Sequence, residues 1–187
     1  MGLRCFIAVE IPDMIKKTIE DVINALRKAG ADVKWVSHEN IHITLKFLGS
    51  TDESLIGAIR ESLIKKMASY SSFVCRISGT GYFPAGRHPK VIWIGVEQPG
   101  DMFGLQKDVE KEMIGFGYPE ESRPFSPHLT IGRVRSEKRT EELLKIIDEF
   151  RTVGFGELEI KGITLMKSEL KPVGAQYYSL AEIPFGG

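Results

Sequence analysis

The chain has 187 residues with 25 Lys plus Arg against 25 Asp plus Glu, so its net charge is zero and a large polyanion cannot be held by bulk attraction; any nucleic-acid contact must be local. With 42% apolar and 27% charged residues, 19 Gly and 9 Pro, the composition is that of one ordinary globular domain or two very small lobes, which excludes disorder, collagen and coiled coil. No apolar run approaches the roughly 18 residues of a membrane span, and the start reads as neither signal peptide nor myristoylation site, so a cytoplasmic protein without a membrane partner is expected.

In chain order, Phe6 to Val9 reads as a buried strand, and Pro12-Asp13 opens a helix whose apolar positions Ile15, Ile19, Val22, Ile23 and Leu26 recur at three and four, with Gly30 ending it. Val33 to Val36 and His42 to Phe47 read as strands. Ser50 to Glu53 has the spacing of a capping box before a helix that turns Ile56, Ile59, Leu63 and Met67 inward. Phe73 to Ile77 and Val91 to Ile94 are β-rich, separated by a Gly, Pro and basic segment from Gly79 to Lys90 that reads as a loop. Met102, Leu105, Val109 and Met113 define a third helix, stopped around Gly115 to Gly117. A Pro-rich loop then leads to the strand His128 to Arg133, a helix bearing Leu143, Leu144, Ile147 and Phe150, and closing strands at Leu158 to Met166 and Tyr177 to Ala181. Cys5 and Cys75, each inside an apolar stretch, read as buried reduced thiols, and four scattered His without a Cys pair at ligand spacing argue against a structural zinc site.

The second half repeats the order of the first. Ile7-Ala8-Val9-Glu10 lies against Ile94-Gly95-Val96-Glu97, Pro12-Asp13-Met14 against Pro99-Gly100-Asp101-Met102, His42-Ile43-Thr44-Leu45 against His128-Leu129-Thr130-Ile131, and Ile77-Ser78-Gly79 against Ile160-Lys161-Gly162, at an offset of 83 to 88 residues. A long period occurring twice predicts one α+β domain over 1–187 built from a duplication of about 4–90 and 91–183. Its two lobes, each of antiparallel sheet plus helices, would face each other around a central cleft across a pseudo-twofold axis.

The paired His-x-Thr elements carry the chemistry. Four His and eight Thr in 187 positions give roughly 0.17 such triplets by chance, so two of them call for a reason. On a strand, residues i and i+2 share a face, so His42 and Thr44 project together while Ile43 and Leu45 anchor the other side, and His128 with Thr130 do likewise. Two imidazoles and two hydroxyls converging on one cleft suit in-line displacement at phosphorus. One His takes a proton from the attacking oxygen and the other gives one to the leaving oxygen, while the Thr hydroxyls bind the non-bridging oxygens. Lys46 has the parity to join His42 and Thr44 on that face, with a solvated strand-end Lys as the alternative. Tyr82, Phe83 and Phe125 border loops near the cleft and could stack a base or pack the core equally well. His38 and His88 have no partners of this kind and read as polar loop residues.

These residues make the chain resemble the 2H phosphoesterase superfamily, in its 2′-5′ RNA ligase or RNA 2′,3′-cyclic phosphodiesterase branch. The matching stretches are Arg4 to Glu10, His42 to Gly49, Val91 to Val96, Pro124 to Arg133 and Gly174 to Tyr177, and the similarity runs nearly end to end; Ile131-Gly132 stands where Leu-Ala is commoner. The resemblance implies a bilobal fold with an internal twofold, His42 and His128 as acid and base, Thr44 and Thr130 as phosphate ligands, and Arg133 as a nucleotide contact. Simple alternation puts Arg133 on the face opposite His128 unless the strand bulges. The expected reaction opens an RNA 2′,3′-cyclic phosphate to a 2′-phosphomonoester, by a monomer and without metal or nucleotide cofactor; the 3′-oxygen as leaving group is implied by the resemblance alone. With a 5′-hydroxyl in place of water the same site would join RNA ends, such as tRNA halves, through a 2′-5′ bond. A non-catalytic RNA-end binding module and a phosphodiesterase for a small cyclic phosphate derived from ADP-ribose remain open as alternatives, as does which His is the acid.

Overall fold

Alternating apolar residues on strands and three-four spacing on helices dictate a layered structure, and the computed structural model describes residues 2–86, 88–97, 99–172 and 174–187 of it. The elements are β1 (Leu3–Glu10), α1 (Asp13–Arg27), β2 (Val33–Trp35), β3 (His42–Thr51), α2 (Ile56–Met67), β4 (Phe73–Phe83), β5 (Val91–Glu97), α3 (Met102–Ile114), β6 (His128–Val134), α4 (Thr140–Glu149), β7 (Gly154–Ile160), β8 (Gly162–Lys171) and β9 (Gly174–Pro184). Among the described residues nine strands form one antiparallel sheet in the order β7-β4-β5-β6-β3-β1-β8-β9, with β2 added beside β6. The fold is α+β, a curled antiparallel sheet with four helices. No helix among the described residues is long and apolar enough to cross a membrane.

Two half-sheets meet at one place, the pairing of Ile43 on β3 with Leu129 on β6. One half comprises β3, β1, β8 and β9, the other β6, β5, β4 and β7. Outward from the seam the inner strands correspond, β3 then β1 on one side and β6 then β5 on the other, yet the half-sheets are not the sequence halves. β4, from 4–90, stands beside β5, while β8 and β9, from 91–183, complete the half that holds β1 and β3.

The helices pack on one face of this sheet with the residues that the periodicity singles out. Ile15, Ile19, Val22, Ile23 and Leu26 of α1, Ile59, Leu63 and Met67 of α2, Met102, Leu105, Val109 and Met113 of α3, and Leu143 and Ile147 of α4 are buried with Ile7, Ile43, Ile77, Ile92, Ile94 and Leu129 from the strands. Leu144 and Phe150 lie at the margin, partly buried. Cys5 and Cys75 are buried and unpaired, and burial pushes both thiols above their ordinary pKa, Cys75 to about 11.

Three expected boundaries move. Gly79 to Lys90 is not all loop, because β4 continues to Phe83 and pairs with β5 as far as Phe83 opposite Val91. Its glycines read as turn residues but serve a strand: Gly79 sits at a bulge with φ +69°, a conformation that costs a side-chain-bearing residue more. Ser50 and Thr51 do not cap a helix; both belong to β3, and the Asp52 carboxylate accepts from the Ser54 amide to start a 3₁₀ turn at Glu53–Leu55 ahead of α2. The stretch from Leu158 to Met166 breaks at Lys161, where β7 and β8 part for opposite half-sheets.

Fully buried helix residues and exposed ones should separate cleanly in urea titrations. Leu105→Ala is expected to cost about 2–5 kcal/mol through lost transfer energy and the cavity left behind. Met14→Ala, at a side chain 81% exposed, should change stability by less than about 0.5 kcal/mol.

Candidate functional site

Ile43 and Leu45 on β3, with Leu129 and Ile131 on β6, are buried against the helices, which turns His42, Thr44, His128 and Thr130 to the other face. The antiparallel pairing of Ile43 with Leu129 then sets His42 beside Thr130 and Thr44 beside His128 across the seam. The structure thus brings all four residues of the paired motif onto one surface.

Each imidazole is oriented the same way. His42 Nδ1 donates to the Asn40 carbonyl at 2.7 Å, and His128 Nδ1 donates to the Ser126 carbonyl at 2.7 Å. A carbonyl only accepts, so the proton sits on Nδ1 and Nε2 is the unprotonated nitrogen of the neutral ring. The Thr44 hydroxyl donates to His42 Nε2 at 2.9 Å. Asn40 is itself fixed, its side-chain amide donating to the Ala175 carbonyl on β9 at 2.7 Å. A carbonyl two residues before each His is a signal visible in the sequence only once the strands are placed.

The rings have different walls. His42 packs against Phe6 at a centroid distance of 4.9 Å and meets Tyr177 edge-on at 5.3 Å. His128 meets Phe83 edge-on at 5.3 Å, and Phe83 in turn lies 5.2 Å from Trp93. Burial holds the His42 pKa below its ordinary value; the hydrogen bond to Asn40 opposes this, and the charges of Lys16 and His128 add to it. Burial thus favours the neutral form of His42.

Both strands carry a bulge just after the motif, and it decides the two candidate cations in opposite senses. On β3 the consecutive β1 residues Ile7 and Ala8 face Lys46 and Thr44, so Leu45 is the extra residue and the alternation slips by one. Lys46 consequently points into the core rather than into the cleft, contrary to the parity expectation. Only 5% exposed, its Nζ donates to Glu110 Oε2 on α3 at 2.5 Å and to the Pro119 carbonyl at 2.9 Å. On β6 the neighbours Ile92 and Trp93 face Gly132 and Thr130, making Ile131 the extra residue. Arg133 is thereby returned to the face of His128 and Thr130, exposed at the end of the strand. Lys34 on β2 pairs with Arg133 and shares that face, a cation the sequence reading missed because β2 lies far off in the chain.

The remaining candidates scatter. Phe83 borders His128; Tyr82 pairs with Ile92, a core residue; Phe125 packs edge-on with Phe103 at 5.8 Å. His38 lies 3.5 Å from both Asp13 and Glu20, and His88 lies 2.7 Å from Glu137; neither belongs to the paired motif. Among the described residues no three His, Cys, Asp or Glu side chains converge as metal ligands.

Comparison with known proteins places this geometry. The family model described as the 2′-5′ RNA ligase superfamily matches residues 11–172. A protein of Thermotoga maritima named RNA 2′,3′-cyclic phosphodiesterase is 36% identical over 186 residues, covering 99% of this chain and 97% of its own. A protein of Methanothermobacter thermautotrophicus with the same name is 34% identical, covering 95% of this chain and 96% of its own. Among solved structures, TT0787 of Thermus thermophilus superposes with a TM-score of 0.83 at 26% identity, over 98% of both chains. E. coli LigT complexed with 3′-AMP shares the fold at a TM-score of 0.76 and 22% identity, over 99% of both chains.

The buried Lys46–Glu110 pair makes an energetic prediction. Lys46→Met leaves the Glu110 carboxylate buried without its cation and should cost about 3–5 kcal/mol in urea denaturation. Lys46→Met combined with Glu110→Leu should recover much of that loss. A double variant as unstable as the single one would show that the pair is not the cause.

Proposed function

The chain belongs to the 2′-5′ RNA ligase superfamily, and from that premise we propose that it opens RNA 2′,3′-cyclic phosphate ends to 2′-phosphomonoesters by acid-base catalysis from His42 and His128. The carrying observation is that two imidazoles, each with Nδ1 tied to a carbonyl two residues earlier, share one face of adjoining strands with Thr44 and Thr130. Such anchoring presents Nε2 of both rings to a common substrate without a rotamer search at the moment of reaction.

In the proposed step, water attacks phosphorus in line with the 3′-oxygen. One Nε2 takes the water proton as the P–O bond forms, and the protonated Nε2 opposite gives its proton to the 3′-oxygen as that bond breaks. The product is a 2′-phosphomonoester with a free 3′-hydroxyl. Thr44, turning its hydroxyl hydrogen from His42 Nε2 to the substrate, and Thr130 donate to the non-bridging oxygens, and Arg133 with Lys34 supplies positive charge at the strand end in a chain of zero net charge. The hydroxyls and cations provide the charge stabilisation without a resident metal. With an RNA 5′-hydroxyl as nucleophile the same groups make a 2′-5′ bond, the reaction proposed for joining RNA ends such as tRNA halves. The corresponding positions of β3 and β1 on one side of the seam and β6 and β5 on the other support an origin by duplication of about 4–90 and 91–183.

Single His42→Ala and His128→Ala variants are expected to lower turnover of a cyclic-phosphate-ended oligonucleotide by roughly 10² to 10⁴. The double variant should lose far less than the product of the two, because the pair acts as a unit. Near-normal turnover in either single variant removes that His from the reaction. Product analysis must show a 2′-phosphate, and EDTA should leave the rate unchanged.

The kcat/KM profile should be bell-shaped. A folded-state pKa for His42 below its ordinary value keeps the ring neutral as pH falls through about 6.5, so the acid limb should lie below that value. The same depression works against stability in acid: protonation of the unfolded chain comes first, so the contribution of His42 is present above about pH 6.5 and lost as pH falls. An acid limb at or above pH 6.5 would contradict His42 as the neutral partner.

A further inference from the structure

The two flanks of the paired motif are built differently. Beside His42 the surface is filled by the Phe6 and Tyr177 rings. Beside His128 the paired position on β5 is Gly95, with no side chain to close it off. A Cβ at Gly95 would come within 2.8 Å of the Ser78 carbonyl oxygen, so a larger residue is excluded by the backbone of β4 itself. The next residue on that face, Trp93, lies against Gly81 of β4, where any side chain would run into the indole. The outcome is a cavity of about 650 Å³ that has His128 in its wall and continues over Gly95, Trp93 and Gly81 to Phe103 and Arg151.

That volume is in the range of small-molecule sites. Its lining selects the occupant. Among the described residues of the wall the most basic, Arg151, is already engaged with the Asp148 carboxylate at 2.7 Å, and Glu97 stands with it, so these residues offer no net attraction for a second phosphate. Trp93 and Phe103 offer aromatic surface, Phe103 half-exposed at the rim. Aromatic walls interspersed with hydrogen-bonding side chains, Arg151 and Glu97 among them, suit a flat, neutral, hydrogen-bonding ring.

Resting on the cyclic-phosphate reading above, we propose that this cavity receives the nucleobase of the nucleotide whose phosphate lies between His42 and His128, with the ribose bridging the gap that Gly95 leaves open. Trp93 and Phe103 bound the base, and Arg151 and Glu97 meet its polar edge. Binding energy gathered there positions the phosphate against the two Nε2 atoms, so the cavity acts on a substrate through its base while the chemistry stays at the strand seam.

The test compares cytidine 2′,3′-cyclic phosphate with the base-free glycerol 1,2-cyclic phosphate, for the wild-type protein and for Phe103→Ala and Ala85→Trp. Both positions are exposed, and Ala85 is in the cavity wall, where a Trp would fill the space; thermal unfolding verifies that each variant folds. The wild type should prefer the nucleoside substrate at least roughly tenfold in kcat/KM, and each variant should lose roughly tenfold on it through KM while its activity on the base-free substrate is unchanged. Equal wild-type efficiency on both substrates overturns the proposal, as do variants that lower both rates alike or leave both intact. Calorimetric binding of cytidine 2′-monophosphate separates the two levels of inference. If neither cyclic phosphate is turned over but the nucleotide binds and Phe103→Ala weakens it, the cavity assignment stands and the reaction falls. If neither turnover nor binding is found, both fall.

Discussion

The arrangement of this protein depends on one contact, the antiparallel pairing of Ile43 with Leu129 where the two half-sheets meet. Both side chains are wholly buried on the helix face. The pleat then leaves no choice about their neighbours: His42, Thr44, His128 and Thr130 must emerge on the opposite face, two from each half-sheet. Apolar burial is thus what aims the polar groups, and the energy that does so comes from the core rather than from the site. The imidazoles need only one further constraint, rotation about their own bonds, and a backbone carbonyl two residues upstream removes it in each case.

Paired bulges refine this plan. A strand that alternated without interruption would place Lys46 in the cleft and Arg133 in the core. The extra residues Leu45 and Ile131 reverse both. Burying the Lys46 ammonium is tolerable only because Glu110 and the Pro119 carbonyl surround it. That same ion pair fastens β3, which carries His42, to α3 and to the segment that runs on toward His128. The Glu121 amide, hydrogen-bonded to Glu110 at 3.4 Å, extends the tie. A cation that looks like a ligand by parity is in fact a brace behind the strand.

Near-symmetry of the strand order does not extend to the surroundings of the two rings. His42 is enclosed by Phe6 and Tyr177, which desolvates it and keeps it neutral, whereas His128 borders a hollow floored by glycines. Two similar half-sites have therefore been given unlike environments, and in the proposed reaction it is this difference in environment that would distinguish the acid from the base.

Much of this was determined by local sequence. The three-four spacing of Ile15, Ile19, Val22, Ile23 and Leu26, the run Met102, Leu105, Val109, Met113, and the His-x-Thr alternation each specify which face is buried, because side-chain direction on a regular element follows from spacing alone. The fold class and the family resemblance rest on those same residues. What local sequence could not determine was anything that hangs on register between distant strands. The bulges at Leu45 and Ile131 exist only relative to β1 and β5, so the exchange of Lys46 for Arg133 was invisible until the partners were in place. The same holds for β4 continuing through two glycines to Phe83, for Lys34 arriving beside Arg133, and for Gly95 opening the flank of His128. Each is a relation between chain segments brought together by the sheet, and no single segment carries it.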